Sequence, residues 1–257
     1  MDYLVISLVA LLASGLTLFS GFGLGTLLMP VVAIFFPVDV AIGITAVVHF
    51  ANNLFKFALL GRGAHWPIVL RFGLPAIVFA FVGAWLLTAL AQSEPLFTWT
   101  AFGSSFAVTP VKLVIGLLIL GFVLLELSPR FAKASIDAKW MPAGGALSGF
   151  FGGLSGHQGA FRSAFLIKSG IDKQQFIATN IVLAVMVDMT RLGVYGVEAV
   201  TTDIAVDWAL VATACIAAFI GAFFGARLIG KMTIEWIHKL VAALLAVVGF
   251  GLVSGLI

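Results

Sequence analysis

The sequence predicts an all-α integral membrane protein made of two inverted repeats, each a re-entrant helical hairpin followed by three transmembrane helices. Three observations predict this class: the composition, a series of long apolar runs, and the placement of basic residues between them. The chain of 257 residues is 62% hydrophobic and only 10% charged, which lies outside the range of soluble domains. No polar stretch is long enough to form a separate soluble domain, so we expect a single membrane domain over residues 1–257.

Eight apolar runs follow one another, and each is long enough to cross the apolar core of a bilayer. They cover residues 3–36, 39–60, 67–91, 110–127, 141–168, 174–196, 204–229 and 234–257. Glycines interrupt the first and the fifth run, and clustered glycines permit a sharp turn. Each of these two runs can therefore be a continuous kinked helix or a hairpin of two half-helices. The interrupting glycines are Gly21, Gly23, Gly25, Gly152, Gly153, Gly156 and Gly159.

Loop charge distinguishes these alternatives, because Lys and Arg collect on the cytoplasmic side of a membrane protein. If all eight runs cross the bilayer, the loop basic residues divide evenly between the two sides. If runs one and five enter and return, Lys112 alone lies on the outer side, and the inner side holds Arg62, Arg71, Arg130, Lys133, Lys139, Lys168, Lys173, Arg227, Lys231 and Lys239. We therefore expect six full spans in the plasma (inner) membrane, with both termini on the extracytoplasmic side.

A weak internal repeat agrees with this topology. A hairpin plus three spans gives an odd number of crossings, so repeat one (about 1–130) and repeat two (about 140–257) have opposite orientations. The alignment pairs Ser20 with Ser155, Asn53 with Asp188, and Lys56 with Arg191. Inverted repeats around segments broken at mid-membrane are typical of secondary transporters.

The motifs in the two halves resemble one family. The segments SGFGLGTLLMP, FPVDVAIGITAV and GALSGFFGGLSGHQGAFRSAFLIKSGIDKQQFIATN are similar to the TauE/SafE sulfite exporter family, and the resemblance covers essentially the whole chain. It implies a permease for small sulfur-containing anions such as sulfite, sulfoacetate or other organosulfonates. The second half departs from the family pattern, because it contains His157, Gln158 and Arg162, with Phe165 near the place of the family's proline.

The two hairpin tips form the predicted anion site. The second half-helix of each hairpin begins near the bilayer centre, around Gly25 and Gly159, and helix N-termini carry unpaired N–H groups and a partial positive charge. Arg162 lies in the first turn of the later half-helix, where its guanidinium can make a bidentate contact with an oxyanion. The other residues expected to bind substrate are Ser20, Gly21, Gly23, Gly25, Thr26, His49, Asn52, Asn53, Ser155, His157, Gln158 and Asn180.

Several of these polar residues have a structural alternative. Arg162 can pair with Asp188 instead of binding substrate, and the spacing of Asp188 and Arg191 favours a structural or coupling pair. His157 and Gln158 can cap the backbone of the turn that contains them.

Helix faces give two further expectations. We expect Gly83, Gly221 and Gly225 to lie at helix–helix interfaces, because small residues permit close packing in membranes. Lys56 shares a face with polar residues of its span, and its place near the predicted inner end suggests that its side chain reaches the surface. That face contains Thr45, His49, Asn52 and Lys56.

These features favour a secondary anion exporter that works by alternating access, with His49, His157 and Asp188 as candidate proton carriers. A passive anion channel, an uptake permease for an organic anion and an assembly subunit are the alternatives. Ser155 near His157 is only a loose nucleophile–base candidate, so we do not expect an enzyme. We expect no metal or other cofactor and no nucleic acid. The expected partners are a small anionic substrate and the lipid bilayer, and a homodimer stays open.

The topology predicts which loops a membrane-impermeant thiol reagent can reach. Cysteines placed at Lys133 and Lys168, in a chain carrying Cys215→Ala, should react only from the cytoplasmic face. A cysteine at Glu94 should react only from the opposite face, and serves as the control. Labelling of the first two positions from opposite faces would exclude the re-entrant topology.

Overall fold

The computed structural model describes residues 1–20, 23–60, 63–101, 103–128, 136–167, 169–201, 206–228 and 234–257. Within these ranges the side chains at 16–20, 60, 126–127, 199–201, 226–228 and 234–241 are outside the description. Several sequence-based expectations therefore fall outside the described residues or side chains. They concern Ser20, Gly21, Arg62, Arg130, Lys133, Lys168, Arg227, Lys231 and Lys239.

The described chain forms ten α-helices and one β-hairpin. In chain order they are α1 (Asp2–Ser20), α2 (Leu24–Val32), α3 (Val38–Leu60), α4 (Trp66–Ala91), β1 (Phe97–Ala101), β2 (Ser104–Val108), α5 (Pro110–Leu127), α6 (Met141–Ser155), α7 (Gly159–Leu166), α8 (Lys173–Thr201), α9 (Trp208–Leu228) and α10 (Ile234–Ser254). A short 3-10 turn, Ala138–Trp140, precedes α6. The antiparallel pair β1–β2 connects α4 to α5.

Four of the described helices are long and apolar enough to cross a membrane. Their spans are Val38–Leu59, Trp66–Ala91, Lys173–Glu198 and Trp208–Gly225. Shorter apolar stretches occur at Asp2–Gly15, Pro110–Leu125 and Ala242–Ser254. The four spans, with α5 and α10, coincide with the six full spans predicted from the sequence. The prediction of a multi-pass α-helical membrane protein is confirmed.

Helix α4 shows how such a span meets lipid. Large apolar side chains at helical spacing along one face are about half exposed, because no other described helix covers them. They are Leu70, Leu74, Val78, Phe81 and Trp85. The opposite face of α4 packs closely against α6.

Both glycine-interrupted runs are broken at their glycines. Helix α2 has 9 residues and α7 has 8, so at about 1.5 Å per residue neither can cross a bilayer core of roughly 30 Å. The fifth run folds back on itself, because the N–H of Ile136, before α6, donates to the carbonyl of Ala164 near the end of α7, at 3.3 Å. Gly156 ends α6 with φ +81°, a left-handed conformation that favours glycine.

Helices from the two halves of the chain pack against each other reciprocally. The first arm of each hairpin packs on a span of the other half, α1 on α9 and α6 on α4. Helices α3 and α8 also pack together, as do α5 and α10. This reciprocal pairing is what a two-fold relation between the halves would produce, while the inverted repeat itself stays a prediction.

Three glycines of α6 bring its backbone against that of α4. They recur every fourth residue, and a Cβ on any of them would overlap a backbone carbonyl of α4. The pairs are Gly145 with Phe72, Gly149 with Ala76, and Gly153 with Ala80. The residue numbers of the contacting pairs increase together along both helices, so α4 and α6 run parallel.

The α1–α9 pair uses the same packing. A Cβ on Gly221 would overlap the carbonyl oxygen of Leu11, and one on Gly225 would overlap the Cα of Gly15. Gly83 likewise lies against the carbonyl of Phe150. The expectation that Gly83, Gly221 and Gly225 lie at helix interfaces is confirmed.

Gly149→Ala should lower the free energy of unfolding by about 2–3 kcal/mol, because its methyl group would force α4 and α6 apart. The measurement is unfolding of the purified protein in mixed micelles. Gly193→Ala is the matched control, since a Cβ there meets nothing within 4 Å; it should be neutral or slightly stabilising. Equal stability of the two variants would contradict close packing at Gly149.

Candidate functional site

The Asp188 carboxylate lies at the centre of a buried polar cluster between α3, α8 and the α6–α7 turn. It is 0% exposed, and both of its oxygens are bound. The Nδ1 atom of His49 lies 2.6 Å from Oδ2. The Nε and Nη2 groups of Arg191 donate to Oδ1 at 3.0 and 2.8 Å. Arg191 therefore supplies the counter-charge that a buried carboxylate needs.

Two amide side chains complete the environment of Asp188. Asn53, one turn after His49 on α3, donates from Nδ2 to Oδ2 at 3.2 Å. Gln158, in the turn before α7, donates from Nε2 to Oδ1 at 3.3 Å. The carboxylate thus connects three separate segments by hydrogen bonds.

Arg162 is bound to amides and not to Asp188. Its Nε donates to the Oδ1 of Asn180 at 2.7 Å, and its Nη1 donates to the Oε1 of Gln158 at 3.1 Å. The Asn180 amide is oriented by its own bond to the carbonyl of Phe176. Gln158 lies between the two charges, because it accepts from Arg162 and donates to Asp188. The Arg162 side chain is buried and lacks an acidic partner among the described residues.

His157 projects from the α6–α7 turn into a cluster of phenylalanine rings. Its Nδ1 lies 3.1 Å from the carbonyl oxygen of Ser155 and 3.2 Å from the Ser155 hydroxyl oxygen. Its ring stacks on Phe122, with the centroids 5.1 Å apart. Phe122, with Phe151 and Phe161, lines a cavity of about 500 Å³ beside the C-terminal half of α5.

The two glycine turns lie next to each other. A Cβ at Gly25, in the first turn of α2, would lie 3.8 Å from the Gly156 carbonyl oxygen and 3.5 Å from the methyl group of Thr45. A Cβ at Gly23 would lie 3.2 Å from the Nε2 of His49. The start of α2 therefore lies against the α6–α7 turn, beside the Asp188 cluster.

Three buried polar atoms near these turns have no hydrogen-bond partner in the described part of the chain. They are Thr45 Oγ1, Asn52 Nδ2 and His157 Nε2. Asn52 is held from its other side, because its Oδ1 accepts from the Ser14 hydroxyl at 3.0 Å. Since nearly all buried polar groups in proteins are paired, these three atoms indicate positions where a polar ligand or water binds.

The comparison with known families decides the assignment. The model of the family described as sulfite exporter TauE/SafE matches residues 6–252. The chain belongs to the TauE/SafE family. A search of curated proteins gave no match. Family membership implies an exporter-type transporter for sulfite or another sulfur anion, so the resemblance seen in the sequence motifs is confirmed.

The site of this TauE/SafE protein includes residues that sequence reasoning did not select. The Ser148 hydroxyl donates to the Gln158 carbonyl at 3.0 Å, and the Tyr195 hydroxyl donates to the carbonyl of Gly153. Tyr195 lies one turn after Arg191 on α8, so helical spacing from Asp188 could have identified it. Ser14 and Ser148 lie on apolar helices and carry no such signal.

The remaining predicted residues differ in how well the site includes them. Thr26 is buried in the first turn of α2. The side chain of Ser20 and all of Gly21 are outside the described residues. Ser155 donates its hydroxyl to the carbonyl of Phe151, within α6.

A second cavity has a volume of about 440 Å³. It lies between the start of α3, the C-terminal half of α8 and the start of α9, and its lining includes Asp39, Tyr195, Glu198 and Trp208. In this TauE/SafE protein the two cavities reach the site at different residues, the first at Phe122, which stacks on His157, and the second at Tyr195, which donates to Gly153.

Asp188→Asn should destabilise the protein by about 3–5 kcal/mol, because the substitution leaves Arg191 buried without a counter-charge. The double variant Asp188→Asn/Arg191→Gln should be more stable than Asp188→Asn alone. Unfolding in mixed micelles measures both. Asp137→Asn, at a largely exposed carboxylate, is the control, and Asp188→Asn unfolding like this control would contradict the buried ion pair.

Proposed function

We propose that this protein is a secondary transporter that exports a small sulfur-containing anion, such as sulfite, sulfoacetate or a related organosulfonate, across the plasma (inner) membrane. The observation that carries this proposal is the meeting of the two glycine turns. Gly25 faces the carbonyl of Gly156, and the unpaired hydroxyl of Thr45 and amide of Asn52 lie on the adjacent helix α3. Two helix N-termini and several free donors are the groups that bind an oxyanion.

In this proposal the anion lies between the hairpin tips. The N–H groups at the starts of α2 and α7 that have no acceptor within the helix point towards the substrate. Arg162 supplies positive charge from α7, with its guanidinium already oriented by Asn180 and Gln158. The other substrate-binding residues we propose are Ser20, Gly21, Gly23, Gly25, Thr26, His49, Asn52, Asn53, Ser155, His157, Gln158 and Asn180.

The packing of each hairpin's first helix on a span of the other half suggests how the site opens to one side of the membrane and then to the other. The pairs α1–α9 and α4–α6 are joined through backbone contacts at glycines, so each pair moves as one rigid unit. The hydrogen bonds of Asp188 to His49 and Asn53 join α3 to α8 across the site. Rocking of the two pairs about this link would open the anion site alternately to the two cavities.

The pairing of His49 with Asp188 makes proton coupling part of this proposal. A proton on His49 Nδ1 lies between the imidazole and the carboxylate, while its Nε2 faces Gly23 at the hairpin tip. An anion at the tip would stabilise the doubly protonated imidazolium through its negative charge. Flux that responds to an imposed pH gradient would support this coupling; equal flux with and without the gradient would exclude it.

A passive anion channel and an uptake permease are the alternatives to an alternating-access exporter. Gly23, Gly25, Gly156 and Gly159 are all buried, which favours a carrier over an open pore. Counterflow separates carrier from channel, because only a carrier exchanges labelled for unlabelled anion against the net gradient. An uptake permease would carry the same anions inward under physiological gradients.

Arg162→Ala should reduce sulfur-anion flux by at least about 30-fold, because the site loses a buried charge that would contact the substrate. Proteoliposomes containing wild type or variant would be tested with sulfite, sulfoacetate, thiosulfate, sulfate, taurine and chloride, with and without a pH gradient. Arg71→Ala, at an exposed position, is the matched control.

The amount of folded Arg162→Ala protein shows whether the loss of flux comes from lost substrate binding or from lost folding. We expect a folded yield close to that of wild type, since Arg162 bonds only to neutral amides. Loss of folding together with flux would support a structural role. Unchanged flux would place the anion elsewhere.

A further inference from the structure

Lys56 differs from its sequence-based expectation. The expectation that its side chain reaches the surface is wrong, because the residue is only 6% exposed. Its ammonium group forms no hydrogen bond or ion pair with any described residue. A lysine in the interior of a membrane protein without an acidic neighbour is costly, so its retention indicates a function.

Asn52 provides a second unpaired donor one helical turn before Lys56 on α3. It is 0% exposed, and its Oδ1 is fixed by the Ser14 hydroxyl. This bond leaves the Nδ2 hydrogens without a partner in the described residues. Positions four apart on a helix are neighbours on one face. The amide and the ammonium therefore form a pair of adjacent donors with no acceptor.

The buried charges of the described chain do not balance. The buried cations are Lys56, Arg162 and Arg191, whereas Asp188 is the only buried carboxylate among the described residues. Arg191 is paired with Asp188. With histidines counted as neutral, the described interior has an excess of two positive charges, carried by Lys56 and Arg162.

The excess constrains the charge of the ligand. In a medium of low dielectric constant each unpaired charge is strongly unfavourable, and its interaction with other charges extends over many ångströms. A monovalent anion supplies half of the charge that would compensate this excess, whereas a divalent anion supplies all of it. The three N–H groups of an ammonium and the two of an amide suit oxygen acceptors.

We infer that Lys56 and Asn52 bind the transported anion, and that the transported species is a divalent oxyanion. The inference rests on the proposed function and specifies its substrate class. The sulfite dianion and sulfoacetate, which has a sulfonate and a carboxylate, belong to this class. Taurine, a zwitterion, and simple monovalent sulfonates do not.

Two matched pairs of anions test the charge of the ligand, measured by calorimetric titration of the purified protein. Sulfate and methanesulfonate are similar in size but carry two charges and one. Sulfoacetate and isethionate form a second such pair. The wild type should bind the divalent member of each pair at least about tenfold more tightly. Equal binding within both pairs would overturn the inference and leave the proposed transport of sulfur anions intact.

The variants test the residues. Lys56→Gln should weaken sulfoacetate binding by at least about 30-fold and bring the ratio to isethionate near one. Lys56→Arg should retain a preference for sulfoacetate, and Lys139→Gln, at an exposed lysine, should bind like wild type. Wild-type preference in Lys56→Gln would overturn the role of Lys56.

If Lys56→Gln does not fold, Asn52→Asp tests the role of Lys56 in binding divalent anions instead. The new carboxylate would still accept from Ser14 and would pair with Lys56 one turn later. This variant should fold, and it should lose the preference for divalent anions because Lys56 has gained an internal counter-ion. Retained preference would overturn the inference. A wild type that binds no sulfur anion would overturn the proposed function, and this inference with it.

Discussion

The Asp188 carboxylate receives hydrogen bonds from α3, α8 and the turn before α7, and the arrangement of the site depends on this buried charge. Arg191 neutralises it, and His49, Asn53 and Gln158 occupy the rest of its acceptor positions. Without the carboxylate, these side chains would lose their common partner, and the α6–α7 turn would lose a bond to the membrane spans. Because unpaired charge is costly in this interior, the network permits few alternatives.

Close packing between helix backbones fixes the position of this network. The glycines of α6 bring it against α4, and those of α9 bring it against α1, so the two turns are fixed by helices of the opposite half. Small residues are effective here because there is no hydrophobic driving force between helices in lipid, and close van der Waals contact replaces it. The helix starts that face the proposed anion site are thus held by closely packed pairs, which is the condition for an oriented binding site.

Much of this architecture follows from the sequence, for physical reasons. Apolar length and the distribution of basic residues predict the spans and the two broken segments, because bilayer thickness and charge placement are strong constraints. Helical spacing predicts that Asp188 and Arg191 are neighbours. It cannot predict that Gln158 separates Arg162 from Asp188, because that contact depends on how α7 approaches α8. The burial of Lys56 was missed for the same kind of reason: its position near a helix end suggested the surface, whereas tertiary packing encloses it.

The exchange of helices between the halves also sets the order in which the protein can assemble. Leu11 of α1 packs against Gly221 of α9, so α1 lacks its partner during synthesis until the intervening helices α2 to α8 and α9 itself have been made. At roughly 5–20 residues per second, that interval lasts tens of seconds. During this time α1 must be shielded by lipid, the translocation machinery or a chaperone. Neither half can complete its own interior, so a chain truncated before α9 would leave the glycine face of the first hairpin open and would be a natural target for membrane proteases.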